Sequence, residues 1–186
     1  ATKQKVQVAD ERRGQLQNYV WAPDSAWLAF TLSLDNNVSA IHIWSEKDGQ
    51  TRRVTGNVFS AGSPAWDPEG SYLYFNSMRE FHPLISQVEF NYAHTRGTLL
   101  YALALRKDVK HPFPPESDEV IIAPEKKAEA AKPENGVKPV IIDFDGIENR
   151  VAAFPLPAAN YGALMATKGH VIFTRGGDFF YGRQAG

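Results

Sequence analysis

Apolar and polar positions alternate along this chain in short runs. In residues 26–32, Leu28, Phe30 and Leu32 share one face of an extended strand, and Trp27, Ala29 and Thr31 share the other. Both faces are largely apolar, the pattern of a sheet packed between two neighbours rather than one with a wet side. A shorter strand ending at Trp21 precedes this run. Between them stands Pro23-Asp24-Ser25, where proline presets φ and the small polar residues complete a bend. Asp35-Asn36-Asn37 reads as a hairpin turn and residues 38–44 as a third strand. Asp48-Gly49 marks another hairpin, and residues 50–55 return as an outer strand.

The unit then repeats. Trp21-Ala22-Pro23-Asp24-Ser25-Ala26-Trp27-Leu28-Ala29-Phe30 aligns without gaps on Trp66-Asp67-Pro68-Glu69-Gly70-Ser71-Tyr72-Leu73-Tyr74-Phe75. Trp21 and Trp66, Pro23 and Pro68, and Phe30 and Phe75 are each 45 positions apart. A period of about 40–45 residues with four short strands per unit is the blade size of a β-propeller. The predicted fold is therefore all-β: a partial propeller of about two and a half four-stranded antiparallel blades. Trp21, Pro23, Asp24 and Phe30 in one copy, and Trp66, Pro68, Gly70 and Phe75 in the other, are its structural repeat positions.

The second unit is enlarged. Its second strand is residues 71–76, and an insertion between Met78 and Gly97 separates this from a third strand at 98–105. Residues 123–139 hold three prolines, four lysines and three glutamates, with Val137 as the one large apolar side chain. Such a segment buries too little surface to offset its ordering entropy, and it reads as a solvated loop. Strand pattern resumes at 140–144 and 150–154. A third unit opens near Asn160, with strands at 164–167 and 170–174 about Lys168-Gly169. Gly169 lies 99 positions after Gly70. Residues 179–181 read as the start of a further strand, and residues 5–8 as the outer strand of a preceding blade. The resulting division is 1–13 for that outer strand, 14–57 for a blade, 58–158 for the enlarged blade and 159–186 for a partial blade.

Composition narrows the function classes. Hydrophobic residues make up 43% and charged residues 22%, a globular balance. Net charge is −1, which offers no electrostatic basis for binding nucleic acid or an anionic membrane. No apolar run approaches the roughly 18 residues of a membrane span. The absence of cysteine removes disulfides, thiolate metal sites and cysteine nucleophiles.

Candidate chemistry is sparse. No Gly-x-Ser-x-Gly elbow is present. His42, His82, His94, His111 and His170 show no His-x-x-x-His spacing and no adjacent carboxylate cluster, so a metal centre and a cofactor site are not expected. Trp21, Trp27, Trp44 and Trp66 offer a stacking platform, but Trp21 and Trp66 recur with the blade period and are expected in the core. Arg52-Arg53 and Arg106-Lys107 have the chemistry to hold a peptide carboxylate, though their positions suit a solvated face. Arg79, which ends a strand and opens the insertion, is the remaining substrate-binding candidate. Gly176-Gly177 lacks the Gly-x-Gly-x-x-Gly pattern and following helix of a phosphate loop. No catalytic residue is assigned.

The repeat string itself resembles TolB-type propellers. A longer series is more specific. It runs from Ser63-Pro64-Ala65-Trp66-Asp67-Pro68-Glu69-Gly70 through Arg79-Glu80-Phe81-His82-Pro83 and Glu89-Phe90-Asn91-Tyr92 to Tyr101-Ala102-Leu103-Ala104-Leu105-Arg106-Lys107-Asp108. It ends on Asp145-Gly146-Ile147-Glu148-Asn149-Arg150-Val151 and Pro155-Leu156-Pro157-Ala158-Ala159-Asn160-Tyr161. This order resembles the propeller region of tricorn-type serine peptidases, with a departure from their acidic pattern at Asn91-Tyr92-Ala93-His94. The resemblance implies a non-catalytic propeller that gates or guides peptides to a peptidase domain outside this chain. It also implies further blades and that peptidase domain as partners, a homo-oligomeric parent, and a cytoplasmic location, with the periplasm as alternative. A TolB-like protein-binding propeller and the propeller cap of a prolyl-oligopeptidase-type hydrolase are the other readings of the same repeat.

Overall fold

A computed structural model describes residues 5–12, 16–80, 83–85, 92–94, 96–114 and 138–177. Strands β1 (Gln17–Trp21), β2 (Trp27–Ser33), β3 (Ser39–Ser45) and β4 (Thr51–Arg53) form one antiparallel sheet in that order. This is the first blade. After β5 (Ala61–Trp66) and β6 (Tyr72–Met78), the insertion forms a separate hairpin of β7 (Pro83–Ile85) and β8 (Tyr92–His94). The chain then returns as β9 (Thr98–Ala104) and later β10 (Val151–Ala153). The second sheet is ordered β5-β6-β9-β10 and is the second blade. A hairpin of β11 (Asn160–Thr167) and β12 (His170–Gly176) is the inner half of a third. Among the described residues one short 3-10 turn, Ile147–Asn149, interrupts the all-β pattern, and no helix is long and apolar enough to cross a membrane.

The doubly apolar strands pack as their pattern requires. Ala29, Ile41 and Ile43 of the first blade meet Leu73, Phe75, Tyr101 and Leu103 of the second in one buried cluster. Leu100 and Tyr161, with Phe154, Leu164 and Phe173, join the second blade to the third. Phe30 and Phe75, matched in the repeat, are both fully buried.

The 45-residue offset is visible in the turns. Ala22 N–H donates to the Trp27 carbonyl at 2.8 Å, and Asp67 N–H donates to that of Tyr72 at 3.0 Å. Within each bend, Ser25 N–H reaches the Ala22 carbonyl and Gly70 N–H that of Asp67, both at 2.9 Å. Ser25, Gly70 and Gly169 all take left-handed φ, at 60°, 72° and 75°. Serine tolerates this at some cost, whereas Gly70 is also sterically confined. A Cβ there would lie 3.1 Å from Val140 Cγ2. Asp35-Asn36-Asn37 is the hairpin turn expected of it, with the Asn36 Oδ1 accepting from Val38 N–H at 3.2 Å.

Three expectations need correction. Residues 140–144 are not a strand. Val140 N–H donates to Asp24 Oδ2 at 2.6 Å, the Val140 carbonyl accepts from Trp27 Nε1 at 3.0 Å, and Asp143 N–H donates to the Leu105 carbonyl at 2.9 Å. The backbone groups are used by side chains and a loop, so the segment is a strap across the two blades rather than a ladder. Residues 5–8 form no strand either. The Val8 carbonyl accepts from Thr51 Oγ1 at 2.8 Å, so this segment is tied to the first blade through a side chain. Trp66 is buried as expected, but Trp21 is 50% exposed. The Trp66 indole donates to the Val20 carbonyl of the blade before it at 3.0 Å. Trp21 heads the first described blade and instead meets Trp44 edge-on at 6.1 Å. Residues 123–137 of the charged loop and the expected strand at 179–181 lie outside the described residues. Lys138 and Pro139 are exposed.

Candidate functional site

The three inner strands share an irregularity that the side-chain identities conceal. Pairing slips between Gln17 and Val20 in β1, between Gly62 and Ala65 in β5, and between Tyr161 and Leu164 in β11. The first two slips are 45 positions apart and the last two 99, the offsets already found in the turns. Asn18 and Ser63 hold these bulges with φ of 54° and 50°. Gly162 occupies the same place in the third blade. A bulge leaves ladder groups unpaired and bends its strand, and here it recurs in each strand that lines the inner side of the sheets.

Beside these bulges lies a cleft of about 440 Å³, lined by Asn18, Thr31, Ser33, Ser39, Ser60, Gly62, Asn76, Thr98 and Tyr161, with Glu11 and Met78 among its remaining walls. Hydroxyls and amides dominate. Ser60 organises one side: its Oγ accepts from Ser39 N–H at 3.2 Å, and its carbonyl accepts from Ser77 Oγ at 2.7 Å. Asn76 spans to the third blade, donating through Nδ2 to the Gly162 carbonyl at 3.1 Å. The Glu11 carboxylate caps the end of β2 by accepting from Ser33 N–H at 2.8 Å. The Thr31 hydroxyl is buried and has no partner among the described residues. The site is thus a polar wall with one acidic side chain, suited to hydrogen bonding a polypeptide backbone.

The candidates from sequence do not converge on it. Arg79 neighbours Met78 but is folded over Tyr101, its guanidinium 4.1 Å from the ring centre, with Nε 3.4 Å from Ser77 Oγ. It also lies 5.7 Å from the Phe59 ring. Burial pushes the Tyr101 phenol up, and the Arg79 charge acts in the opposite direction. Arg52 pairs with Asp48 at 2.5 Å and covers the Phe144 ring at 4.9 Å, and its guanidinium holds the Asp48 carboxyl well below the usual carboxylate range. Arg106 pairs with Asp108 at 2.8 Å and Lys107 with Asp145 at 2.7 Å. These are the exposed ion pairs of a solvated face, each of small energetic weight.

Histidine shows no nucleophile-activating geometry among the described side chains. His42 Nδ1 contacts the Ala40 carbonyl, His111 Nδ1 accepts from Phe113 N–H, and His170 Nδ1 contacts the Lys168 carbonyl. His42 is stacked on Phe30, and burial lowers its pKa. No group of three metal-ligating side chains occurs among the described residues. The bulge positions beside the cleft are not evident from sequence because Asn18, Ser63 and Gly162 share no chemistry. Their common offset was the available signal.

Successive antiparallel blades packed against one another define a β-propeller segment. Residues 1–180 match the family model described as the tricorn protease second beta propeller domain, and the chain belongs to that family. Tricorn protease homolog 1 of Streptomyces coelicolor is 28% identical over 163 residues, covering 87% of this chain and 15% of the relative. The tricorn protease homolog of Saccharolobus solfataricus is 30% identical over 153 residues, covering 82% of this chain and 13% of its own length. In fold, the chain superposes on the crystal structure of the tricorn protease with a TM-score of 0.69 at 13% identity, covering 93% of this chain and 16% of that one. The chain therefore spans about one sixth or less of the length of these proteins.

Proposed function

We propose that this segment is part of a propeller channel wall that guides peptides toward a peptidase domain carried elsewhere in the full-length protein. The observation that carries this is the shared bulge. Three successive inner strands distort at equivalent positions beside one polar cleft, so the distortion belongs to the inner wall as a repeated feature. Backbone groups released by bulges, together with the Ser33 and Thr98 hydroxyls and the Asn76 amide, match the alternating donors and acceptors of an extended peptide. Side chains of many kinds are accommodated because the contacts are to backbone. Charge is nearly absent, so passage does not depend on a peptide's sign.

Narrowing the cleft tests this. In the full-length protein, Ser33→Trp retains the backbone N–H that Glu11 caps but fills space at the wall. Its kcat/KM for peptides long enough to traverse the propeller is expected to fall roughly tenfold. Turnover of a small ester substrate should be unchanged, which also controls for folding. An equal loss on both substrates, or no loss on either, contradicts a guiding role.

A further inference from the structure

A second cleft, of about 420 Å³, lies between the second and third blades. It sits where β5 ends and β6 begins, so it occupies the opposite end of the strands from the channel cleft. Its character is different. Four aromatic side chains line it: Tyr72, Tyr74, Phe113 and Phe154. Tyr72 and Tyr74 stack at 6.0 Å, Phe154 stands edge-on to Tyr74 at 5.9 Å, and Phe113 meets Phe154 at 4.7 Å. Two carboxylates, Asp67 and Glu69, also line it, as does the His170 imidazole, whose Nδ1 lies 3.2 Å from the Lys168 carbonyl, and no lysine or arginine is among its walls.

These groups are positioned rather than incidental. The Asp67 carboxylate is fixed, accepting from Glu69 N–H at 3.2 Å and Ser71 N–H at 3.0 Å. Tyr72 is held through its hydroxyl, which donates to the Lys110 carbonyl at 2.7 Å. The Tyr74 hydroxyl and the Glu69 carboxylate have no hydrogen-bond partner among the described residues. Burial, then the nearby Asp67 charge, pushes the Tyr74 phenol up to about 12, so it stays neutral and meets a guest through its ring face and oxygen lone pairs.

We propose that this cleft binds the cationic side chain of a lysine or arginine presented by a polypeptide partner. Aromatic faces carry negative potential and attract a cation that comes within about 6 Å of the ring centre. The two carboxylates add charge of the same sign. An anionic guest meets repulsion from both, and an apolar guest removes water from both without compensation. The methylene stem of lysine or arginine packs along rings while its charged head reaches the carboxylate rim. The site is independent of the channel reading, because it uses other residues at the other end of the blades.

The test uses the full-length protein and two fluorescent peptides identical except for one central residue, lysine or norleucine. Anisotropy titration is expected to show the lysine peptide binding roughly fivefold more tightly. Glu69→Gln should abolish that preference, as should Tyr74→Leu, with the norleucine peptide unaffected. Glu69 is exposed and its backbone N–H remains for Asp67, so the Gln variant stays informative even if Tyr74→Leu fails to fold. Equal binding of the two peptides, or a lysine preference that survives Glu69→Gln unchanged, overturns the proposal.

Discussion

Trp66→Ala is expected to destabilise this chain by about 3–5 kcal/mol in urea denaturation, while Trp21→Ala, at the matched position, costs about 1 kcal/mol. The two tryptophans are equivalent in sequence and unequal in surroundings. Trp66 is 5% exposed, packs in the cluster between the first two blades, and donates to the Val20 carbonyl. Removing it opens a cavity at the blade interface and leaves that carbonyl without its indole donor. Trp21 keeps half its surface in contact with solvent and one edge-on contact with Trp44. Trp66→Phe separates the terms: it retains most of the burial, loses the hydrogen bond, and should cost about 1–2 kcal/mol. In a longer protein with a blade packed ahead of the first, the Trp21→Ala cost should rise toward that of Trp66→Ala. Equal costs for the two alanine variants in this chain would contradict the assignment of Trp66 as an inter-blade bolt.

Arg150→Met is expected to cost about 3 kcal/mol. The Arg150 guanidinium donates to four carbonyls: Ala104 at 3.1 Å, Asp145 at 2.9 Å, Leu105 at 3.3 Å, and Asp143. Those carbonyls belong to the end of β9 and to the strap that precedes β10. The side chain therefore fixes the loop that delivers the outer strand of the second blade. A lysine ammonium is compact and lacks the planar fork, so Arg150→Lys should recover less than half of the loss. Thermal unfolding of the two variants measures this. A loss below about 0.5 kcal/mol for Arg150→Met, the range of ordinary surface substitutions, would show that the bonds are replaceable.

Much of the fold was legible because its signals were local and repeated. Pro23-Asp24-Ser25 and Pro68-Glu69-Gly70 each fixed a turn, and the doubly apolar strands between them fixed burial on both faces. Gly70 and Gly169 carried the register into the third blade across a long insertion. What was misread depended on partners distant in sequence. Residues 140–144 carry a strand-like apolar pattern, yet Asp24 and Trp27, more than a hundred positions earlier, take up the Val140 backbone groups. Residues 5–8 alternate in the same way, but a Thr51 side chain meets them where a ladder was expected. The repeat position of Trp21 specifies direction but not whether a neighbour lies there. The polar cleft beside the bulges is hidden in the sequence for a related reason. It is assembled from serine, threonine and asparagine at strand ends in separate blades, and such residues are common in turns of every kind.

The guiding role of the inner wall is tested most directly by mapping where a passing peptide touches. The full-length protein, with its catalytic nucleophile chemically blocked, would be incubated with an extended peptide carrying one photoreactive residue, then irradiated, digested and read by mass spectrometry. A channel wall predicts cross-links concentrated at Asn18, Thr31, Ser33, Ser60, Asn76 and Thr98, suppressed by Ser33→Trp and by excess unlabelled peptide. Cross-links confined to the outer strands β4 and β10, or evenly scattered over the surface, would contradict it.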